Sequence, residues 1–493
     1  MNDIVGVIPR PSSVKILSPS TYCYKESDAV RHYDELIPRE GYRLTVDGNG
    51  LNIYCSDDAG YFYALVTVRQ LLAAGDLKHI EIKDAPRYAY RGFMLDCARH
   101  FFTVEEIKRH LDIMALFKLN VFHWHLTDDQ GWRIQSERYP LLTDIGSYRS
   151  STRGDGKPVK GFYTKEDMRE IVEYAAARYI DVLPEFDIPG HASAAIAAYP
   201  ALSCTGAEIA VKESFGIHEE VFCPGKEVTY RFLADVIGEI MDIFPFGYVH
   251  LGGDEALRLK WMDCEDCARV MRENSLKDYD ELQAYFMDKI ADVCRARGKT
   301  VINWNDGMRG ANTASDIVMQ YWSEGGDSKR KLKQELAAGR KVIMSPFFSY
   351  YLDYPYGMTP LRKTFAFDPE TYDEGGKGGV IGVEAPLWTE YVDSSDRIDY
   401  QAYPRLFAVA ERAWSPWHED YKDFLARLKY IYNLIDKQGV KCAKIGEVDP
   451  SPLRAIAEVV RFGRNVSDKT LREAGARVRL NNKRLKAPER KKS

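Results

Sequence analysis

Eight short apolar runs recur through the middle of the chain, and each hands over to polar, glycine-rich or aromatic residues at its C-terminal end. They occupy 92–96, 120–125, 180–184, 248–251, 300–304, 317–322, 341–345 and 380–385. Short, mostly apolar runs of this kind suit strands buried on both faces, the condition of a parallel sheet. Helical spacing fills several intervals, over 103–119, 164–179 and 228–244. Thr103 and Glu106 open the first of these as a capping box, each satisfying a free amide at the helix start. Eight buried strands with helical spacers predict an α/β fold, a (β/α)8 TIM barrel over 87–440. A doubly wound open sheet is the alternative. The interval between the fifth and sixth runs is too short for a full helix.

Residues 1–86 read as a small α+β domain. Alternation over 42–46 and 51–55 flanks Asp47-Gly48-Asn49-Gly50 and predicts a hairpin. Helical spacing over 59–74 ends at Gly75, a strand follows at 80–82, and Asp84-Ala85-Pro86 breaks the pattern. Residues 441–493 read as a helical extension and basic tail. Nine Lys/Arg against two Glu fall within 471–493, which reads as a solvated, partly disordered end.

Net charge is −5 with 29% charged residues of mixed sign, which argues against a nucleic-acid partner. No apolar run reaches the ~18 residues of a membrane span. Nine scattered cysteines and an N-terminus without secretory features predict a cytoplasmic protein with reduced thiols. Cys264-x-x-Cys267 has no second CxxC nearby and reads as a reduced, helix-flanking pair. No metal or cofactor is expected.

A barrel carries its active site on the loops after the strands. In order, those positions supply Arg99-His100, then His123-Trp124-His125 with Asp128-Asp129, then Glu185, Asp187 and His191. Gly252-Gly253-Asp254-Glu255 follow, then Trp304 and Trp322, then Tyr350, Tyr351 and Asp353, and last Trp388 and Glu390. Aromatic faces beside carboxylates and Arg suit a sugar, with its apolar C–H faces and hydroxyl perimeter. Adjacent acids behind two glycines can divide a proton-holding role from a charged one, as glycosidic cleavage requires. His123-x-His125 with His191 and Asp254 leaves a metal-dependent amidohydrolase as the rival enzyme class, and a non-catalytic sugar-binding barrel as a further alternative.

His250-Leu251-Gly252-Gly253-Asp254-Glu255 resembles the His-x-Gly-Gly-Asp-Glu motif of glycoside hydrolase family 20, the β-N-acetylhexosaminidases. Residues 95–100, 123–129, 184–191, Trp304, 351–353 and 387–390 resemble that family in the same order. The resemblance implies exo-acting, retaining removal of terminal N-acetylglucosamine or N-acetylgalactosamine from oligosaccharides. The substrate's own acetamido oxygen would act as the nucleophile, through an oxazolinium intermediate. It implies Glu255 as general acid, Asp254 as acceptor of the acetamido N–H, and Tyr351 as donor to the acetamido oxygen. Trp304, Trp322 and Trp388 would wall the pocket; Arg99, Asp353 and Glu390 would hold hydroxyls; His191 and Asp128 would pair beside the acid. Where the family commonly has Glu two positions after the Trp304 equivalent, this chain has Asp306.

Overall fold

The computed structural model describes residues 6–23, 28–75, 77–152, 156–373, 379–418, 420–466 and 469–486. The N-terminal unit is a five-stranded sheet of β1 (Ser13–Thr21), β2 (Ala29–Tyr33), β3 (Tyr42–Asp47), β4 (Gly50–Cys55) and β5 (Lys78–Asp84), ordered β1-β5-β3-β4-β2. Helix α1 (Asp58–Ala74) packs on β3 and β4 and is capped by the Asp57 carboxylate, which accepts from the Gly60 N–H. β3 and β4 form the expected hairpin, with Tyr42 opposite Cys55. Strands β1 and β2 were not expected. They lie on the two edges and are mostly exposed, so they lack the in–out alternation that marks a half-buried strand.

All eight apolar runs become strands of one closed parallel barrel. In chain order these are β6 (Tyr90–Asp96), β7 (Val121–His125), β8 (Asp181–Ile188), β9 (Tyr248–Gly252), β10 (Thr300–Trp304), β11 (Val318–Tyr321), β12 (Val342–Met344) and β13 (Val380–Leu387). The outer helices include α2 (Val104–Leu116), α3 (Lys165–Ala176) and α4 (Glu227–Met241). The Thr103–Glu106 capping box forms as expected, and Thr164 makes a second one with Asp167. A single 3-10 turn, Asn305–Gly307, stands where a helix between β10 and β11 would be.

Side chains from alternate strand positions fill the barrel in layers. Tyr90, Val121, Leu183, Ile302, Val318 and Ile343 form an apolar floor. Two residues further along several strands the interior turns polar, with His123, Glu185, His250, Gln320 and Glu384 all fully buried. Glu384 accepts from Gln320 Nε2 at 2.5 Å, from the Tyr90 hydroxyl, and pairs with His123 Nδ1 at 2.8 Å. Met94, Trp304, Tyr351 and Trp388 close the top as an aromatic cluster.

Asp84 fastens the small unit to the barrel. It accepts from Tyr42 Oη at 2.8 Å, from Lys118 Nζ at 2.9 Å and from Trp414 Nε1 at 2.9 Å, all in the dry interior. The basic C-terminal segment differs from the solvated end expected. Following α5 (Pro452–Val466), it forms helix α6 (Lys469–Lys486) and docks. Asn481 Oδ1 accepts from the Arg258 N–H at 2.8 Å, and Arg484 forks onto Asp263 at 2.7 and 2.9 Å. Glu489, Arg490, Lys491 and Lys492 lie outside the described residues. Among the described residues no helix is long and apolar enough to cross a membrane.

Candidate active site

β9 ends in Gly252-Gly253, and both glycines lie in the left-handed region, with φ of 63° and 103°. At Gly252 the lack of a side chain is essential, because a Cβ would stand 1.9 Å from Asp187 Oδ1. The tight turn delivers Asp254 and Glu255 to the mouth of the barrel. Glu255 itself adopts φ 48°, and His191, on the neighbouring loop, φ 50°. Such conformations cost a non-glycine residue about 1–3 kcal/mol and persist where the surroundings fix them. Here Asp306 helps to do so: its Oδ2 accepts from the Glu255 N–H at 3.2 Å while Oδ1 accepts from Trp322 Nε1 at 2.8 Å.

His191 stands between the two acids and the barrel wall. Its Nε2 lies 3.7 Å from Asp254 Oδ2 and 3.6 Å from Glu255 Oε2, and its Nδ1 lies 3.1 Å from Asp128 Oδ1. Burial works against the imidazolium, but the Asp128 and Asp187 carboxylates outweigh it and hold the His191 pKa well above the usual histidine value. Asp128 also receives Arg99 Nη2 at 2.9 Å and His125 Nε2 at 3.0 Å. The opposite holds for Asp254. Burial first, and the neighbouring Asp187 second, push its carboxyl well above the aspartate range. Its Oδ1 is buried with no hydrogen-bond partner among the described residues.

The remaining expected residues converge on the same space. Trp304 and Trp388 rings lie 6.0 Å apart, Tyr351 packs 6.4 Å from Trp388, and Trp322 stacks on Tyr351 at 6.0 Å. Arg99 lies over the Trp388 ring at 4.9 Å, with Nη1 3.2 Å from Asp96 Oδ2 and Nε 3.7 Å from Glu390 Oε1. Asp353 is buried, and desolvation together with Glu390 raises its pKa well above the ordinary value. Asp353 Oδ1 and Arg99 Nε, like Asp254 Oδ1, have no hydrogen-bond partner among the described residues. An unpaired buried polar atom costs about 1–3 kcal/mol, so three around one aromatic box are polar groups set out for a ligand.

Several contributors were under-read from sequence. Glu185 is the keystone beneath the pocket: it accepts from Trp304 Nε1 at 2.8 Å and pairs with His250 Nδ1 at 3.0 Å and His125 Nδ1 at 2.5 Å. Asp187, two residues on and therefore on the same strand face, is pushed up to about 7 by burial. Its place on the rim is read from the sequence; its role beside Asp254 is not. Asp306, noted only as a shortened carboxylate, reaches both Glu255 and Trp322. The metal-dependent amidohydrolase is disfavoured by the histidines themselves. His123 is held between Glu384 at 2.8 Å and Glu185 at 3.2 Å, and His125 between Glu185 and Asp128. Each ring nitrogen therefore faces a carboxylate that fixes it, rather than open space at the mouth.

One expectation is corrected outright. Cys264 and Cys267 are not a lone pair, because Cys204 and Cys223 from the preceding loop lie against them, with all four sulfurs within 4.8 Å of one another.

The profile described as "Glycosyl hydrolase family 20, catalytic domain" matches residues 88–417, and that of "Glycosyl hydrolase family 20, domain 2" matches 13–85. The chain belongs to glycosyl hydrolase family 20. This family 20 enzyme is 41% identical over 431 residues to a β-hexosaminidase of Porphyromonas gingivalis, with 82% of this chain aligned. It spans about half that relative's length, 54%. A β-hexosaminidase of Akkermansia muciniphila is 35% identical, covering 88% of this chain and 93% of that protein. Among solved structures, a β-N-acetylhexosaminidase superposes with a TM-score of 0.83 at 33% identity, over 90% of this chain and 98% of the other. The family 20 exo-β-N-acetylglucosaminidase of Vibrio harveyi, in complex with N-acetylglucosamine, gives 0.81 at 28% identity, over 90% and 78%. The family 20 chain is a glycoside hydrolase of the β-N-acetylhexosaminidase class.

Proposed function

We propose that the chain removes non-reducing terminal N-acetylglucosamine or N-acetylgalactosamine from oligosaccharides, with the sugar's own acetamido group as nucleophile. The observation that carries this is the adjacent acid pair, Glu255 part-exposed at the mouth and Asp254 buried with an unpaired oxygen beside aromatic walls. Glu255 gives a proton to the departing glycosidic oxygen and later takes one from water. The acetamido oxygen attacks the anomeric carbon from the other face, and the oxazolinium ring so formed opens to water with net retention. Asp254 accepts the acetamido N–H; the cation that develops there favours its charged form and counteracts the effect of burial. Tyr351 donates to the acetamido oxygen, and Trp304, Trp322 and Trp388 hold the group in line. Fixing an internal nucleophile in this way removes much of the entropic barrier. Arg99, Asp353 and Glu390 take the ring hydroxyls of a terminal sugar, which gives exo action. Asp128 and His191 are positioning residues.

The enzyme is proposed to act in a reducing compartment on imported amino-sugar oligosaccharides; its nine cysteines, none of them in a disulfide, support that setting. Recovery of the native protein from culture medium alone would count against it. The activity is tested with aryl β-glycosides of N-acetylglucosamine, N-acetylgalactosamine and glucose. Strong preference for the acetamido sugars is expected, and equal cleavage of the glucoside refutes the mechanism.

A further inference from the structure

We propose that Cys204, Cys223, Cys264 and Cys267 bind one structural zinc ion that ties together the two loops carrying the active-site residues. The geometry is specific. Sγ–Sγ separations are 3.8 Å for Cys204–Cys267, 3.8 Å for Cys223–Cys264 and 3.7 Å for Cys223–Cys267. A tetrahedral zinc with Zn–S bonds of about 2.3 Å requires edges of about 3.8 Å between its sulfurs. Disulfides fit these distances poorly, since they need about 2.05 Å and pair sulfurs two by two. Here Cys223 and Cys267 each touch two others at nearly equal range. An iron–sulfur cluster is also the wrong size, because its thiolates are spread around several metal atoms and do not meet at one centre. Four soft ligands converging on one point suit a single tetrahedral ion, and zinc is the redox-inert choice for a structural site.

The surroundings are built for such a site. Cys223-Pro224-Gly225 turns tightly against the start of the Glu265–Glu273 helix, and a Cβ on Gly225 would come within 2.5 Å of the Cys267 backbone nitrogen. Cys223 and Cys267 are buried, and Val221, Trp261, Val270 and Leu282 pack around them as a separate apolar cluster. Trp261 Nε1 donates to the Phe222 carbonyl at 3.0 Å. Cys204 and Cys223 bracket the loop that follows β8 and His191, whereas Cys264 and Cys267 follow the Asp254–Glu255 turn. The Phe222 N–H donates to the Pro189 carbonyl at 2.9 Å, so one end of the thiolate knot lies next to the His191 loop. The ion takes no part in catalysis; it fixes the relative position of the two loops that bring His191 to the acid pair.

Protein purified under reducing conditions from zinc-supplemented medium is expected to carry one zinc per chain by mass spectrometry of the metal. X-ray absorption at the zinc edge should show four sulfurs at about 2.3 Å. Cys223→Ser and Cys267→Ser should lose the metal and unfold at lower temperature, while Cys442→Ser keeps it. If the serine variants do not fold, the wild-type chain still decides. A mercurial should release about one equivalent of zinc to a coloured chelator, and cobalt reconstitution should give the visible bands of a tetrahedral thiolate site. Less than about a tenth of an equivalent of zinc overturns the proposal, and so do disulfides among these four residues in a non-reducing peptide map. Stoichiometric iron in its place overturns the choice of metal.

Discussion

Replacing Asp254 by Asn removes one charge and almost no volume, which makes it the sharpest probe of the chemistry. His191 Nε2, 3.7 Å from Asp254 Oδ2, gives a yardstick for what a cation at that range gains from the carboxylate. At an effective dielectric of about 20 the attraction is about 4 kcal/mol. Groups preorganised toward a developing charge contribute about 2.7–4 kcal/mol in general, so the two figures agree. Asp254→Asn should therefore lower kcat/KM on an aryl N-acetylglucosaminide roughly 100- to 1,000-fold, with little change in the melting temperature. The pH profile gives an independent readout. Asp254 must be ionised to face the oxazolinium, and burial holds its pKa above the ordinary 3.8. Wild-type kcat/KM should then fall on the acid side at a pH above that value, and the variant should lose that limb. Initial rates between pH 3 and 8 test both points. A loss below about threefold, or an unchanged acid limb, would refute the reasoning that assigns Asp254 to the substrate's own amide.

Glu255→Gln should still bind substrate but should lose far more rate on a disaccharide than on an activated dinitrophenyl glycoside, by roughly 100-fold, since a good leaving group needs little protonation; comparing kcat on the two substrates decides it. Asp306→Ala removes two hydrogen bonds, to Trp322 Nε1 and the Glu255 N–H, worth about 0.5–1.5 kcal/mol each. Its kcat should drop roughly tenfold in steady-state assays, and an unchanged kcat would show that Glu255 holds its strained backbone without help. His123 is raised to about 9 because Glu384 and Glu185 outweigh its burial. Its contribution is complete below the unfolded value of 6.5 and is lost as pH rises through 9, about 3 kcal/mol in all. Urea midpoints of the wild type should fall across that window, and those of His123→Gln should fall less.

The barrel was legible because its signal repeats. Eight buried runs, each ending in a chemical group, leave little else to build, and β6 to β13 lie where the pattern put them. Strands β1 and β2 left no such mark, since edge strands facing water need no alternation. The pocket residues were legible because strand ends point them to one rim. What failed was long-range pairing. Cys204 and Cys223 lie some forty to sixty residues before Cys264 and Cys267, and nothing local announces that two loops will cross. The basic segment around Arg484 looked solvated because its partner, Asp263, sits far away in the sequence. Asp306 was read by its side-chain length, but its position at the end of β10 is what lets it serve two neighbours.

The terminal-sugar pocket is acidic on nearly every side. Asp254, Glu255, Asp353 and Glu390 border it, Arg99 is already engaged by Asp96 and Asp128, and His191 by Asp128. Among the described residues, Arg99 keeps only its Nε without a hydrogen-bond partner. A chain end carrying sulfate or a uronic acid is expected to meet this acidic, poorly hydrated wall less favourably than its neutral counterpart does. On the proposed function, neutral terminal amino sugars are therefore expected to be cleaved faster than sulfated ones, which paired aryl substrates would check.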